Sequence, residues 1–181
     1  MKLINSDKRP VLAGLAALVT VLLADQWSKD AILDLFEGAP YGAHIAVTRF
    51  FDLVLWWNKG VSFGMLHTGH DIMPYLLSGA AALICLPLAV WLCRTKNWPA
   101  GIALGMIMGG AIGNVIDRLQ FGAVVDFLYF YYNEWYWPAF NIADSAICVG
   151  VALLLFGADK KPKAKAATAQ ETLADATNTP K

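Results

Sequence analysis

GIALGMIMGGAIGNVIDR, residues 101–118, is the stretch on which the fold turns. Gly101, Gly105, Gly109 and Gly113 recur every four residues, and Asp117 takes the next step. Residues four apart share one face of a helix. A small-xxx-small repeat lets helix backbones approach closely inside a bilayer. The rest of the segment is apolar until Asn114, so it reads as a membrane helix whose close-packed face ends in a polar cluster of Asn114, Asp117 and Arg118. The neighbours Asp117 and Arg118 read first as a local ion pair holding the helix end. The functional alternative is that Arg118 binds a carbonyl or phosphate of a substrate.

Outward from this helix, the composition agrees. The chain has 181 residues, 57% hydrophobic and 15% charged, against about 25% charged in ordinary globular proteins. Its net charge is zero, which gives no reason to expect a nucleic-acid partner. Four apolar segments span about 10–27, 72–93, 99–117 and 140–157. A membrane helix needs roughly 20 such residues. The first is preceded by Lys2, Lys8 and Arg9, as a cleavable leader would be. Asp25-Gln26-Trp27 is a poor cleavage context, so an anchor is the better reading. Cys85, Cys93 and Cys148 all lie in apolar segments and imply no disulfide framework.

With both termini cytoplasmic, the inside carries ten basic residues: Lys2, Lys8, Arg9, Arg94, Lys96, Lys160, Lys161, Lys163, Lys165 and Lys181. The outside keeps Lys29, Arg49, Lys59 and Arg118. This asymmetry sets the expected orientation. The fold expected is membrane all-α with a small β addition: four transmembrane helices plus a short extracytoplasmic β-sheet, forming one polytopic domain over 1–158. The outer sheet is expected at about 41–66. His44–Thr48 and Leu53–Trp57 are β-branched and aromatic runs, and Asn58-Lys59-Gly60 marks a turn. The second outer loop, 118–139, holds Tyr129–Tyr132 and Trp135–Trp137. It reads as an interfacial anchor, or as a lid or wall over a lipid-handling site. The Lys-, Ala- and Thr-rich stretch 159–181 reads as a disordered cytoplasmic tail.

This topology gathers the acids on one side. At 1.5 Å rise per residue, Asp25, Asp117 and Asp144 lie about 22–27 Å from the inner ends of their helices. The hydrocarbon core is about 30 Å thick. All three therefore approach the outer interface, and Asp126 enters from the loop there. Ionisable groups at a bilayer are functional candidates by default. Asp25 and Lys29, four apart, read as a structural pair. Asn141 reads as a helix cap, with Asp144 favoured by the helix dipole. Asp126 and Asp144 have no matching basic partner in the sequence. Two carboxylates held together share a proton, so one can serve as base and the other as acid. His67-Thr68-Gly69-His70-Asp71 is too loosely spaced for a metal site, and none is expected.

Five ordered blocks then carry a resemblance: Asp25–Lys29, Asn58–Gly64, Gly109–Arg118, Val124–Phe127 and Phe140–Ser145. The chain resembles the lipoprotein signal peptidase family, the bacterial type II (prolipoprotein) signal peptidases. The resemblance implies an aspartic endopeptidase of the bacterial inner membrane, with no cofactor and with its active site at the outer leaflet face. Such enzymes remove the signal peptide of diacylglyceryl-modified prolipoproteins just before the lipidated cysteine. Asp126 and Asp144 match the family's catalytic pair. Asn58, Gly60, Asn114, Arg118 and Asn141 match positions that shape the site or hold substrate, and Asp25, Lys29 and Asp117 are left as structural polar residues. The family also implies membrane lipid as a partner, inhibition by the cyclic peptide globomycin, and a mobile outer segment. The alternative is a small proton-coupled carrier using the Asp pair as a relay. Carriers usually show repeated halves with midplane sites, and no repeat is present here.

Overall fold

The computed structural model describes residues 8–40, 42–60 and 72–157. The His67–Asp71 stretch, residues 61–66 of the expected outer sheet and the tail from 159 lie outside the described residues. Four helices follow in order: α1 Arg9–Leu35, α2 Met73–Arg94, α3 Trp98–Phe121 and α4 Ile142–Gly157. Between them run four strands: β1 His44–Thr48, β2 Phe51–Asn58, β3 Val124–Tyr132 and β4 Trp135–Tyr136. The first three helices are long and apolar enough to cross a membrane, and α4 is a shorter apolar helix.

The glycine stripe of α3 is a packing face. A Cβ at Gly101 would collide with the carbonyl of Pro10, and one at Gly105 with that of Gly14. At Gly109 it would lie 2.7 Å from the carbonyl oxygen of Leu18. The order of these contacts makes α1 and α3 parallel neighbours. The other side of α3 meets α4, where Gly110 abuts the carbonyl of Ala143 and Gly150 that of Ala103. The most heavily buried of the three membrane-length helices is α3. On the remaining side Leu92 of α2 packs with Leu104 and Met108 of α3.

Hydropathy places the end of the first span near Trp27, yet α1 continues to Leu35. Its buried residues Gly14, Asp25, Lys29 and Ile32, followed by Phe36, keep one helical face. Ile32 and Phe36 pack on Val125 and Phe127 of β3. The apolar stretch stops before the helix does. The fourth helix starts at Ile142 rather than 140 because Phe140 bridges to Leu128.

The largest departure is the second outer loop. Residues 124–136 are not a free aromatic loop: β3 and β4 form a hairpin that joins the first two strands in the antiparallel order β1-β2-β3-β4. Trp57 pairs with Val125 and Trp56 with Asp126. Asn133 takes a positive φ of 52° in the two-residue connection, which Asn tolerates. Exposed aromatics at the far end of this hairpin, with Phe50, line an open cleft of about 450 Å³.

Candidate functional site

The C-terminal halves of α1 and α3 meet around one lysine. The Nζ of Lys29 donates to Asp25 Oδ2 at 2.7 Å and to Asn114 Oδ1 at 3.1 Å, and pairs with Asp117 Oδ2 at 2.9 Å. Lys29 is 2% exposed, Asp25 0% and Asp117 1%. Gln26 Nε2 adds a donor to Asp117 Oδ1 at 3.1 Å. Gln26 is the participant that the sequence reading passed over; its signal was an amide next to Asp25 inside an apolar helix.

The expected Asp117–Arg118 ion pair does not form among the described residues. Successive helix residues point about 100° apart and do not face each other. Asp117 turns to Lys29, and Arg118 Nη1 donates to the Asn114 carbonyl at 3.3 Å. Arg118 Nε is buried with no hydrogen-bond partner.

The two acids of this knot also anchor backbone. Asp117 Oδ2 accepts the N–H of Val125 at 3.0 Å, and Asp25 Oδ1 that of Ala143 at 2.9 Å. Val125 immediately precedes Asp126, and Ala143 immediately precedes Asp144. The knot therefore fixes both segments that carry the candidate pair.

Two carboxamides complete the arrangement. Asn141 caps α4: its Oδ1 accepts the N–H of Asp144 at 3.0 Å, and its own N–H donates to Asp144 Oδ2 at 3.3 Å. Its Nδ2 donates to Asp126 Oδ1 at 2.8 Å. The cap expected from sequence and the bridge to Asp126 are thus one side chain. Asn114 Nδ2 donates to Asp144 Oδ1 at 2.8 Å. At the end of β2, Asn58 Nδ2 donates to Asp126 Oδ2 at 2.9 Å while its Oδ1 accepts the N–H of Gly60 at 2.7 Å. Gly60 has φ +88°, a conformation that favours glycine, while a Cβ there would meet only the movable end of the Leu77 side chain of α2.

Asp126 is 3% exposed and Asp144 is half-buried. Neither has an ion-pair partner within 4 Å among the described residues. Burial pushes the Asp126 carboxyl up to about 6, and the neighbouring charge of Asp144 adds to the effect; hydrogen bonds from Asn58 and Asn141, and the charge of Lys29, oppose it. A carboxyl that titrates near neutrality beside a second acid suits proton transfer.

Fold and site together define a multi-pass membrane protein with a paired-carboxylate site at one end of its helical bundle. Comparison with known proteins makes the class specific. The family model for signal peptidase (SPase) II matches residues 17–158. A lipoprotein signal peptidase of Nitrobacter hamburgensis is 43% identical over 162 residues, covering 87% of this chain and 98% of the relative. One from Burkholderia vietnamiensis is 45% identical over 142 residues, covering 75% and 81%. Among solved structures, a bacterial membrane enzyme determined by the in meso method at 1.9 Å matches with a TM-score of 0.70 and 26% identity, over 82% of this chain and 93% of that one. The chain belongs to the signal peptidase II family. That assignment does not favour the carrier alternative.

Proposed function

We propose that this protein is an aspartic endopeptidase that removes the signal peptide from diacylglyceryl-modified prolipoproteins immediately before the lipidated cysteine, with Asp126 and Asp144 as its catalytic pair. One observation carries the reading. Two carboxylates from different elements, β3 and α4, both bond to Asn141, Asp126 through its side-chain amide and Asp144 through its backbone N–H, and neither has a cation within 4 Å among the described residues. An ion pair would have fixed both as anions, whereas this setting lets them share a proton.

Asp126, the more buried acid, holds the proton and donates it to the oxygen of the scissile carbonyl. Asp144 takes a proton from water, whose hydroxyl adds to the carbonyl carbon. On collapse the C–N bond breaks, the amine of the cysteine takes the proton from Asp144, and the second hydroxyl of the intermediate returns a proton to Asp126. The products are a carboxylic acid on the signal peptide and a free amine on the lipoprotein. The two carboxyls end as they began, so no cofactor is called for. Arg118, beside Asn114 and Asp144, holds a substrate carbonyl.

The same reading puts the protein in the bacterial inner membrane with both termini cytoplasmic and the site at the outer leaflet face, where a lipid-modified cysteine lies. It extends to inhibition by globomycin. The test is cleavage of a diacylglyceryl-modified precursor by Asp126→Asn and Asp144→Asn enzyme in detergent. Each folded variant should lose at least about a thousandfold in kcat, and the double no more than either single, because the pair acts as a unit. Near-normal cleavage by either single variant overturns the assignment.

A further inference from the structure

We infer that Lys29 is a positioning residue for peptide cleavage, acting through the carboxamide of Asn114 on Asp144. The inference rests on the catalytic reading of Asp144 above.

An ammonium has three donors and no acceptor. All three are used here, by Asp25, Asp117 and Asn114. The two ends of a carboxamide differ, one accepting and the other donating. Because Lys29 Nζ sits 3.1 Å from Asn114 Oδ1, the amide nitrogen is turned the other way, to 2.8 Å from Asp144 Oδ1. A flipped Asn114 would set its NH2 against the ammonium and its oxygen against the carboxylate. Asn141 Nδ2 also reaches Asn114 Oδ1, at 3.2 Å, but divides its hydrogens with Val125 O and Asp126 Oδ1. The charge-assisted bond from Lys29 is the stronger hold.

The other half of the knot works on the backbone. Asp25 and Asp117, each paired with Lys29, anchor the N–H groups of Ala143 and Val125. Their hold on backbone can survive the loss of the lysine, because it uses their own oxygens. The Asn114 orientation cannot. This separates a positioning role from a purely structural one.

The experiment uses Lys29→Met and the double variant Asp25→Asn/Lys29→Met. The double leaves the buried net charge unchanged, and the amide introduced by Asp25→Asn keeps an oxygen for the Ala143 N–H. Full-length enzyme is purified in detergent, its folded fraction measured by thermal unfolding, and kcat and KM measured on a lipid-modified precursor. The folded double should lose about 10–100-fold in kcat, the scale of a misplaced catalytic group, with KM within about threefold. Adding Asn114→Ala to it should cost less than about a further threefold, since Lys29 works through that amide. A kcat within about twofold of wild type overturns the inference. So do losses from the lysine and Asn114 changes that multiply. A double variant that cannot be obtained folded overturns it too, making Lys29 structural. Asp144→Asn is assayed alongside. If it cleaves normally, the catalytic reading has failed; if it is dead while the double runs at full rate, only the role of Lys29 has.

Discussion

The proton on Asp126 should be visible in the stability of the fold. Its carboxyl is raised from 3.8 to about 6, a rise worth about 3 kcal/mol. The folded value lies above the unfolded one. The folded state therefore keeps a proton that the unfolded chain releases. This contribution is fully present below about pH 4 and lost as pH rises through about 6. Asp126→Asn removes the titration. It also introduces a fault that pH does not touch. Asn58 and Asn141 both donate to Asp126, and their oxygens are held by the N–H groups of Gly60 and Asp144. Neither amide is free to turn, so one NH2 would face another, costing about 1–3 kcal/mol. The variant should be the less stable protein at pH 4. It should gain about 3 kcal/mol on wild type by pH 7, roughly 6–12 °C in the difference of Tm for a chain of this size. The assay is thermal unfolding of both proteins in one detergent from about pH 4 to 8. Only the difference counts, because other carboxylates cancel in it. A Tm difference constant within about 2 °C across that range refutes the burial argument.

Two further outcomes follow from the bundle. Gly109→Leu should separate α3 from α1, because even a Cβ would stand 2.7 Å from the Leu18 carbonyl; thermal stability and cleavage should fall together, at a cost of several kcal/mol, and wild-type stability would show that the stripe is not a packing face. A reporter active only outside the cytoplasm should work when fused at Asn133 and stay silent at Lys96, and activity at Lys96 would reverse the orientation.

What the sequence disclosed was what periodicity and hydropathy encode. The Gly101–Gly113 spacing marked a close-packing face of α3, whose partner the structure shows to be α1, and the β-branched run at His44–Thr48 revealed β1. Positions governed by tertiary partners were not legible. Val124–Tyr132 is as rich in β-branched and aromatic residues as β1, but its first four residues are all buried rather than alternating, so nothing local named β2 as its partner. The eight residues of α1 beyond Trp27 are polar enough to look like loop until Lys29 finds its two acids. Asp117 was grouped with Arg118 because they are adjacent in sequence, and helix geometry sends them apart. Convergence of Asp25, Asp117, Asp126 and Asp144 was readable because it needs only topology. Which amide joins which carboxylate was not, because that depends on side chains from four elements meeting.

The buried knot poses its own question of energetics. Two acids and one lysine are almost fully withdrawn from solvent in a small membrane bundle. Desolvating such groups costs several kcal/mol each, and well-packed apolar replacements are often no less stable. Stability alone is therefore a weak reason for this cluster. The geometry supplies a better one. Each acid commits an oxygen to the N–H that precedes a catalytic candidate, and the lysine directs its third donor to the amide that faces Asp144. An apolar knot could hold α1 against α3 but could not orient β3, α4 and Asn114 at once. Burying the charges holds the site to within a hydrogen bond, beside a substrate that arrives from lipid.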